Sequence, residues 1–124
     1  MAVNDTVLIL DTRILRDESF MNWLKRNHPG LLTVSSVAYM EYRRQLIRKH
    51  GNASKLEHML HDMDIKVVPF DKLSAELAAD LMSDRPEVCP TCNKLDWTDT
   101  MIYSTDGWKS TILVTYNVSD YPTY

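Results

Sequence analysis

Four acidic side chains stand where the fold of the chain could bring them together. Asp11 closes the apolar run Val7-Leu8-Ile9-Leu10, and Asp120 lies five residues beyond a second such run, Ile112 to Thr115. Short, continuous apolar runs read as buried strands. Both acids would then project at the carboxyl ends of strands. Glu41 sits in the segment after Ser35-Ser36, on one helical face with Val37 and Arg44. Val37 should point inward, so Glu41 should border the core. Asp99 falls in the first turn of a helix predicted over Trp97 to Trp108, where an acid also suits the positive end of the helix dipole. Asp96 is the N-cap candidate of that helix.

Carboxylates gathered at one sheet edge repel one another unless something neutralises them. A hard divalent cation does so: Mg²⁺ and Mn²⁺ prefer oxygen ligands and keep several waters. Such an ion lowers the pKa of a bound water and stabilises charge on a phosphodiester. Asp11, Glu41, Asp99 and Asp120 are therefore the candidate metal ligands and catalytic acids. Asn117 competes with Asp120 for the fourth place, and Thr115 is a hydrogen-bonding support. Each acid also has a plainer reading: Asp11 as a turn residue, Glu41 as an exposed helix acid, Asp99 as part of a cap.

Arg43, Arg44, Arg48 and Lys49, followed by His50, form a basic cluster on the helix of Glu41. They read either as phosphate contacts beside the site or as a solvated helix face. Tyr39 and Tyr42 offer either stacking surfaces or packing. Cys89 and Cys92 form a C-x-x-C. A structural zinc needs four ligands, and only His58 and His61 suggest themselves as the other two. Two ordinary thiols are the expectation.

The elements that must position these groups follow from periodicity and punctuation. Strands are predicted at 7–10, 31–34, 65–68 and 112–115. Helices are predicted at 20–25, from Ser35 or Ser36 to His50 with Gly51 as the stop, at 53–63, at 72–82 behind Asp71, and at 97–108. In the helix 72–82, Leu73, Leu77, Ala78 and Leu81 form the expected inward stripe. Met101, Ile102, Ser104 and Thr105 should face inward from the last helix. Residues 83–95 read as a loop. The alternation of strands and helices favours a short parallel sheet covered on both faces, a three-layer α/β domain. Ligands of such sheets bind beyond the carboxyl ends of the strands.

Composition sets outer bounds. The 124 residues suit one domain, and an apolar fraction of 44% argues against disorder. No apolar run approaches the roughly 18 residues of a membrane span, and two cysteines make no secreted disulfide framework. A cytoplasmic location is the expectation. The net charge of −3 does not advertise nucleic-acid binding, but a local basic patch suffices for it.

Taken together, these stretches resemble the PIN-domain ribonucleases, over nearly the whole chain and in the family's order. Val7-Leu8-Ile9-Leu10-Asp11-Thr12 is similar to the first family motif, and Val34-Ser35-Ser36 followed by Glu41 to the second. Asp99-Thr100-Met101-Ile102 is similar to the third. Leu113-Val114-Thr115-Tyr116-Asn117-Val118-Ser119-Asp120-Tyr121 is similar to the fourth, a strand followed by Thr-x-Asn and then Asp-aromatic. The resemblance implies a Rossmann-like PIN fold, Mg²⁺ or Mn²⁺ at the acids, and water attack on single-stranded RNA. It also implies a homodimer and, for the many VapC-like members, a toxin paired with an antitoxin. An RNA-processing nuclease without an antitoxin, or a silent module that holds RNA or protein, are the rival readings. Two features depart from the family pattern. Arg13 stands where Asn or Ser is usual, and could bind a substrate phosphate or neutralise the acids without metal. Members commonly continue with another strand after the Asp-aromatic pair, whereas Tyr124 is last here, so Asp120 is expected to be weakly anchored. A receiver-like signalling domain is disfavoured, because the third strand ends in Val68-Pro69-Phe70 rather than an acid.

Overall fold

The computed structural model describes residues 6–83, 101–102, 104–105 and 111–115. The element order is β1 (Val7–Leu10), α1 (Thr12–Leu15), α2 (Glu18–Asn27), β2 (Leu31–Ser35), α3 (Ser36–His50), α4 (Ser54–Asp62), β3 (Lys66–Val68), α5 (Lys72–Met82) and β4 (Thr111–Val114). Met101, Ile102 and Ser104 are also helical. The four strands form one sheet in the order β3-β2-β1-β4, and every pairing is parallel. With its helices this is a three-layer α/β architecture, as the alternating pattern predicts.

The topology explains why β1 has no polar face. It pairs with β2 on one side and β4 on the other, and Leu8, Ile9 and Leu10 are all buried. A central parallel strand packs on both faces, hence the continuous apolar run. The chain steps from β1 out to β2 and β3, then returns to place β4 on the far side of β1. The direction of winding therefore reverses between β1 and β4. Open α/β sheets bind ligands at that crevice, beyond the carboxyl ends of the strands. Asp11 and Thr115, which follow β1 and β4, stand there.

Side-chain caps start α1, α2, α3 and α5. Ser35 starts α3 by accepting a hydrogen bond from the Val37 amide, and Gly51 ends it in the left-handed region at φ 82°, where glycine carries no Cβ penalty. Asp71 starts α5 by accepting from the Ser74 amide and hydroxyl. Asp17 caps α2 through the Phe20 amide, so that helix starts earlier and runs longer than the sequence suggested. Gly30 has a different reason to be glycine: a Cβ there would lie 2.4 Å from the Thr6 carbonyl oxygen.

The inner layer of helices buries Ile14, Leu15, Met21 and Leu24 of α1 and α2, and Ala38, Tyr42 and Leu46 of α3, in one core with Leu8, Leu10, Leu32 and Val34. Ile102, Ser104 and Thr105 are buried as expected. Two expectations need correction. The short helix α1 was not anticipated. In α5, Leu73 is 52% exposed, and the buried pair is Ser74 and Ala78. Bonding of Ser74 to Asp71 turns the helix so that the i, i+4 face of small residues meets the protein. Asp96, Asp99, Asn117, Asp120, Cys89, Cys92 and the loop 84–95 lie outside the described residues. Among the described residues, no helix is long and apolar enough to cross a membrane.

Candidate functional site

Asp11 is the pivot between sheet and helix. Its backbone amide donates to the Val114 carbonyl at 3.2 Å, which carries the β1–β4 ladder one step past the strand. Its side chain turns back as the N-cap of α1: Oδ1 accepts from the Ile14 amide at 3.1 Å. Oδ2 accepts from the Thr115 hydroxyl. Asp11 is 4% exposed, its carboxylate held across the β1–β4 crevice by one bond from each side.

Glu41 arrives from a different element. Ser35 sets the start of α3, and Glu41 follows one and a half turns later, partly buried. Oε1 accepts from the Thr12 hydroxyl at 2.6 Å. Thr12 directly follows Asp11, so this bond ties the second acid to the residue next to the first. One turn further on, Arg16, the C-cap of α1, donates to Gln45 of α3 at 3.4 Å. The two helices thus run side by side in register from the acids outward.

A buried hydroxyl pair ties α3 to the segment that follows Asp99. Ser35 and Thr105 approach to 2.8 Å, both fully buried, and Thr105 donates to the Met101 carbonyl at 2.9 Å. Each hydroxyl has one proton. With that of Thr105 committed, Ser35 donates to Thr105 while accepting from Val37.

A family model of the PIN domain matches residues 5–117. The chain belongs to the PIN domain family. No curated protein matches the sequence significantly. Among solved structures, this PIN domain is similar to a chain of a toxin–antitoxin complex from Klebsiella pneumoniae, with a TM-score of 0.66 and 19% identity over 91% of this chain and 88% of that one. It is also similar to a chain of VapBC2 from Rickettsia felis bound to a DNA fragment from their promoter, with a TM-score of 0.61 and 20% identity over 91% and 89%. At that identity the likeness is one of fold.

In this PIN domain the described half of the site is a set of oxygens: the carboxylates of Asp11 and Glu41 and the hydroxyls of Thr12 and Thr115. Among the described residues, no ion pair engages either acid. Nor does any group of three His, Cys, Asp or Glu side chains come together there; Asp99 and Asp120 lie outside those residues. Hard oxygen donors with net negative charge fit Mg²⁺ or Mn²⁺ and do not fit a thiophilic ion.

The basic residues separate by surroundings. Arg43 pairs with Glu57 of α4 at 3.0 Å and also donates to the Tyr39 hydroxyl. Tyr39 itself donates to Glu57, and that hydrogen bond, with some burial, raises its pKa. Tyr42 is in the core, which removes it as a stacking platform. Arg13, Arg44, Arg48 and Lys49 are exposed. Sequence reading missed Arg16, because its relation to Gln45 is purely tertiary. Thr12 stood out only as a motif neighbour; its partner 29 residues away has no sequence signal.

Proposed function

We propose that this PIN domain is a Mg²⁺- or Mn²⁺-dependent endoribonuclease acting on single-stranded RNA, and that it is the toxin of a toxin–antitoxin pair. The observation that carries this reading is the buried carboxylate of Asp11 at the β1–β4 switch point, with Glu41 held by the next residue, Thr12. A buried carboxylate there is otherwise costly, and a divalent cation offsets that cost. Asp11 and Glu41 would hold the ion, joined by Asp99 and by Asp120 or Asn117, with Asp96 capping the helix of Asp99. When bound, the cation supplies a lowered water pKa and charge stabilisation at the scissile phosphate. Thr115 orients Asp11 and Thr12 orients Glu41. Arg44, Arg48 and Lys49 would hold RNA phosphates beside the acids, with Arg13 on α1 as a further contact. Arg43, already engaged with Glu57, has the weaker claim to that role. The likeness to toxin–antitoxin structures supports an antitoxin partner, and the family resemblance adds a homodimer working in the cytoplasm as one domain.

The test is cleavage of single-stranded RNA by the purified chain in Mg²⁺ or Mn²⁺, in EDTA, and as Asp11→Asn. Loss of cleavage by orders of magnitude in EDTA and in the variant is expected. Undiminished cleavage in either arm rules the mechanism out.

A further inference from the structure

We propose that Thr12 is a positioning residue for Glu41: its hydroxyl holds Oε1 and so sets the orientation in which the carboxylate would hold the cation. The inference rests on the metal-dependent reading above and adds a specific residue to it.

The geometry is short and enclosed. Thr12 is 8% exposed, and its hydroxyl meets Glu41 Oε1 at 2.6 Å. A hydroxyl bonding a carboxylate at this distance is a charge-assisted bond, stronger than a neutral one. Thr12 has a single proton to give, and Glu41 receives it. A glutamate on a helix otherwise has three side-chain torsions to lose before it can ligate. One bond from the neighbouring helix removes most of that freedom in advance. The backbone adds to it. Thr12 is the first residue of α1, whose start is set by the Asp11 cap, so a single turn fixes the carboxylate of Asp11 and the hydroxyl that orients Glu41. The register of α1 against α3, with Arg16 on Gln45 one turn on, keeps that hydroxyl opposite Glu41. Groups that orient metal ligands in this way are typically worth about 10–100-fold in metal affinity.

The experiment measures Mn²⁺ binding to the full chain, by calorimetry and by the Mn²⁺ paramagnetic resonance signal, for wild type, Thr12→Val, Thr12→Ser, Glu41→Gln and the Thr12→Val/Glu41→Gln double variant. Thermal melting in EDTA monitors the fold of each. Thr12→Val keeps the shape and removes the proton; it should weaken Mn²⁺ binding at least about tenfold. Thr12→Ser restores the hydroxyl and should bind within roughly threefold of wild type, since it keeps the donor. In the Glu41→Gln background Thr12→Val should cost little more, because residues that act through one another are not additive. Wild-type affinity in Thr12→Val, failure of Ser to rescue, or an undiminished effect of Thr12→Val on top of Glu41→Gln would each overturn the inference while leaving the metal-dependent reading intact. Absence of Mn²⁺ binding by wild type would overturn both. If Thr12→Val does not fold, the Thr12→Ser arm decides: a tenfold loss with the hydroxyl retained refutes the assignment, and near-wild-type binding upholds it.

Discussion

Removing Asp11 in two different ways separates what its carboxylate does for folding from what it does for chemistry. Asp11→Asn keeps an oxygen for the Ile14 amide, and asparagine caps helices about as well as aspartate. The new amide can donate to the Thr115 hydroxyl, reversing a bond that Asp11 accepts. One charge-assisted bond becomes neutral, at about 1 kcal/mol, and the relief of a buried charge offsets part of that. In EDTA the variant should therefore melt close to wild type. Asp11→Ala has no such compensation. Loss of the cap costs about 1 kcal/mol, and losing the Thr115 bond and opening a small void at a residue 4% exposed adds about 1–2 kcal/mol. For a chain of this length 1 kcal/mol is roughly 3–5 °C, so Ala should melt roughly 6–15 °C below wild type. Mn²⁺ then reverses the grouping. At a hundredfold excess over its dissociation constant it adds about 2.7 kcal/mol to a protein that binds it only when folded. Wild type should gain that increment, and Asn and Ala almost none of it.

Differential scanning calorimetry of the three proteins, in EDTA and across a Mn²⁺ series, reads both effects. A full Mn²⁺ shift in Asp11→Asn would remove Asp11 from the ligand set. An Ala variant as stable as Asn would show that neither the cap nor the Thr115 bond stabilises the turn, and the structural half of the reasoning would fail.

Replacing Arg44 and Arg48 together with Ala should weaken RNA binding across sequences, measured on uncleaving Asp11→Asn protein, and reduce the slope of log affinity against log salt by about 0.7 per lost contact; an unchanged slope makes them a solvated face. Arg43→Ala should leave that slope alone, because Arg43 serves Glu57. Ser35→Ala should destabilise the chain by about 2 kcal/mol in urea titrations, from the lost α3 cap and the lost donor to Thr105; a change below about 0.5 kcal/mol, ordinary for a surface site, would contradict that network.

The parts of the fold that were legible in the sequence share a physical cause: one dominant force decides each of them locally. β1 reads as a strand because burial on both faces demands an unbroken apolar run. α3 reads to within a residue because a serine at 35 or 36 and Gly51 are the groups that can satisfy its ends, and the structure places the cap at Ser35. Asp71 does the same for α5. What was illegible depends on contacts across the chain. The four residues Thr12-Arg13-Ile14-Leu15 are too few to show a helical period, and a helix that short is stable only because Asp11 caps it and α3 packs on it. The inward face of α5 was legible in part: Ala78 is buried as expected, but leucine spacing favoured Leu73, which is exposed, over its neighbour Ser74, which is buried. In the site, Asp11 was legible as an acid at a strand end and Glu41 as an acid on the inward border of a helix. Thr115 was legible as a hydrogen-bonding support; the bond of Thr12 to Glu41 was not, since nothing in their spacing records a hydrogen bond between neighbouring helices.

For Asp11 the plain reading and the chemical one turn out to be compatible, and the reason is a count of lone pairs. An ionised carboxylate offers about four acceptor positions, two on each oxygen. The Ile14 amide takes one on Oδ1 and the Thr115 hydroxyl one on Oδ2. Among the described residues, one position remains on each oxygen. Capping therefore does not compete with ligation; it sets the carboxylate plane before any ion arrives. The two donors come from opposite sides of the crevice, one from the helix after β1 and one from the end of β4, so the orientation of Asp11 is fixed by the packing of the sheet itself. A catalytic acid held by rigid elements on both sides keeps its geometry more closely than one on a loop. The same accounting makes aspartate the right length here. A carboxylate one methylene longer would reach past the Ile14 amide, losing the cap that starts α1 and, with it, the hydroxyl that orients Glu41.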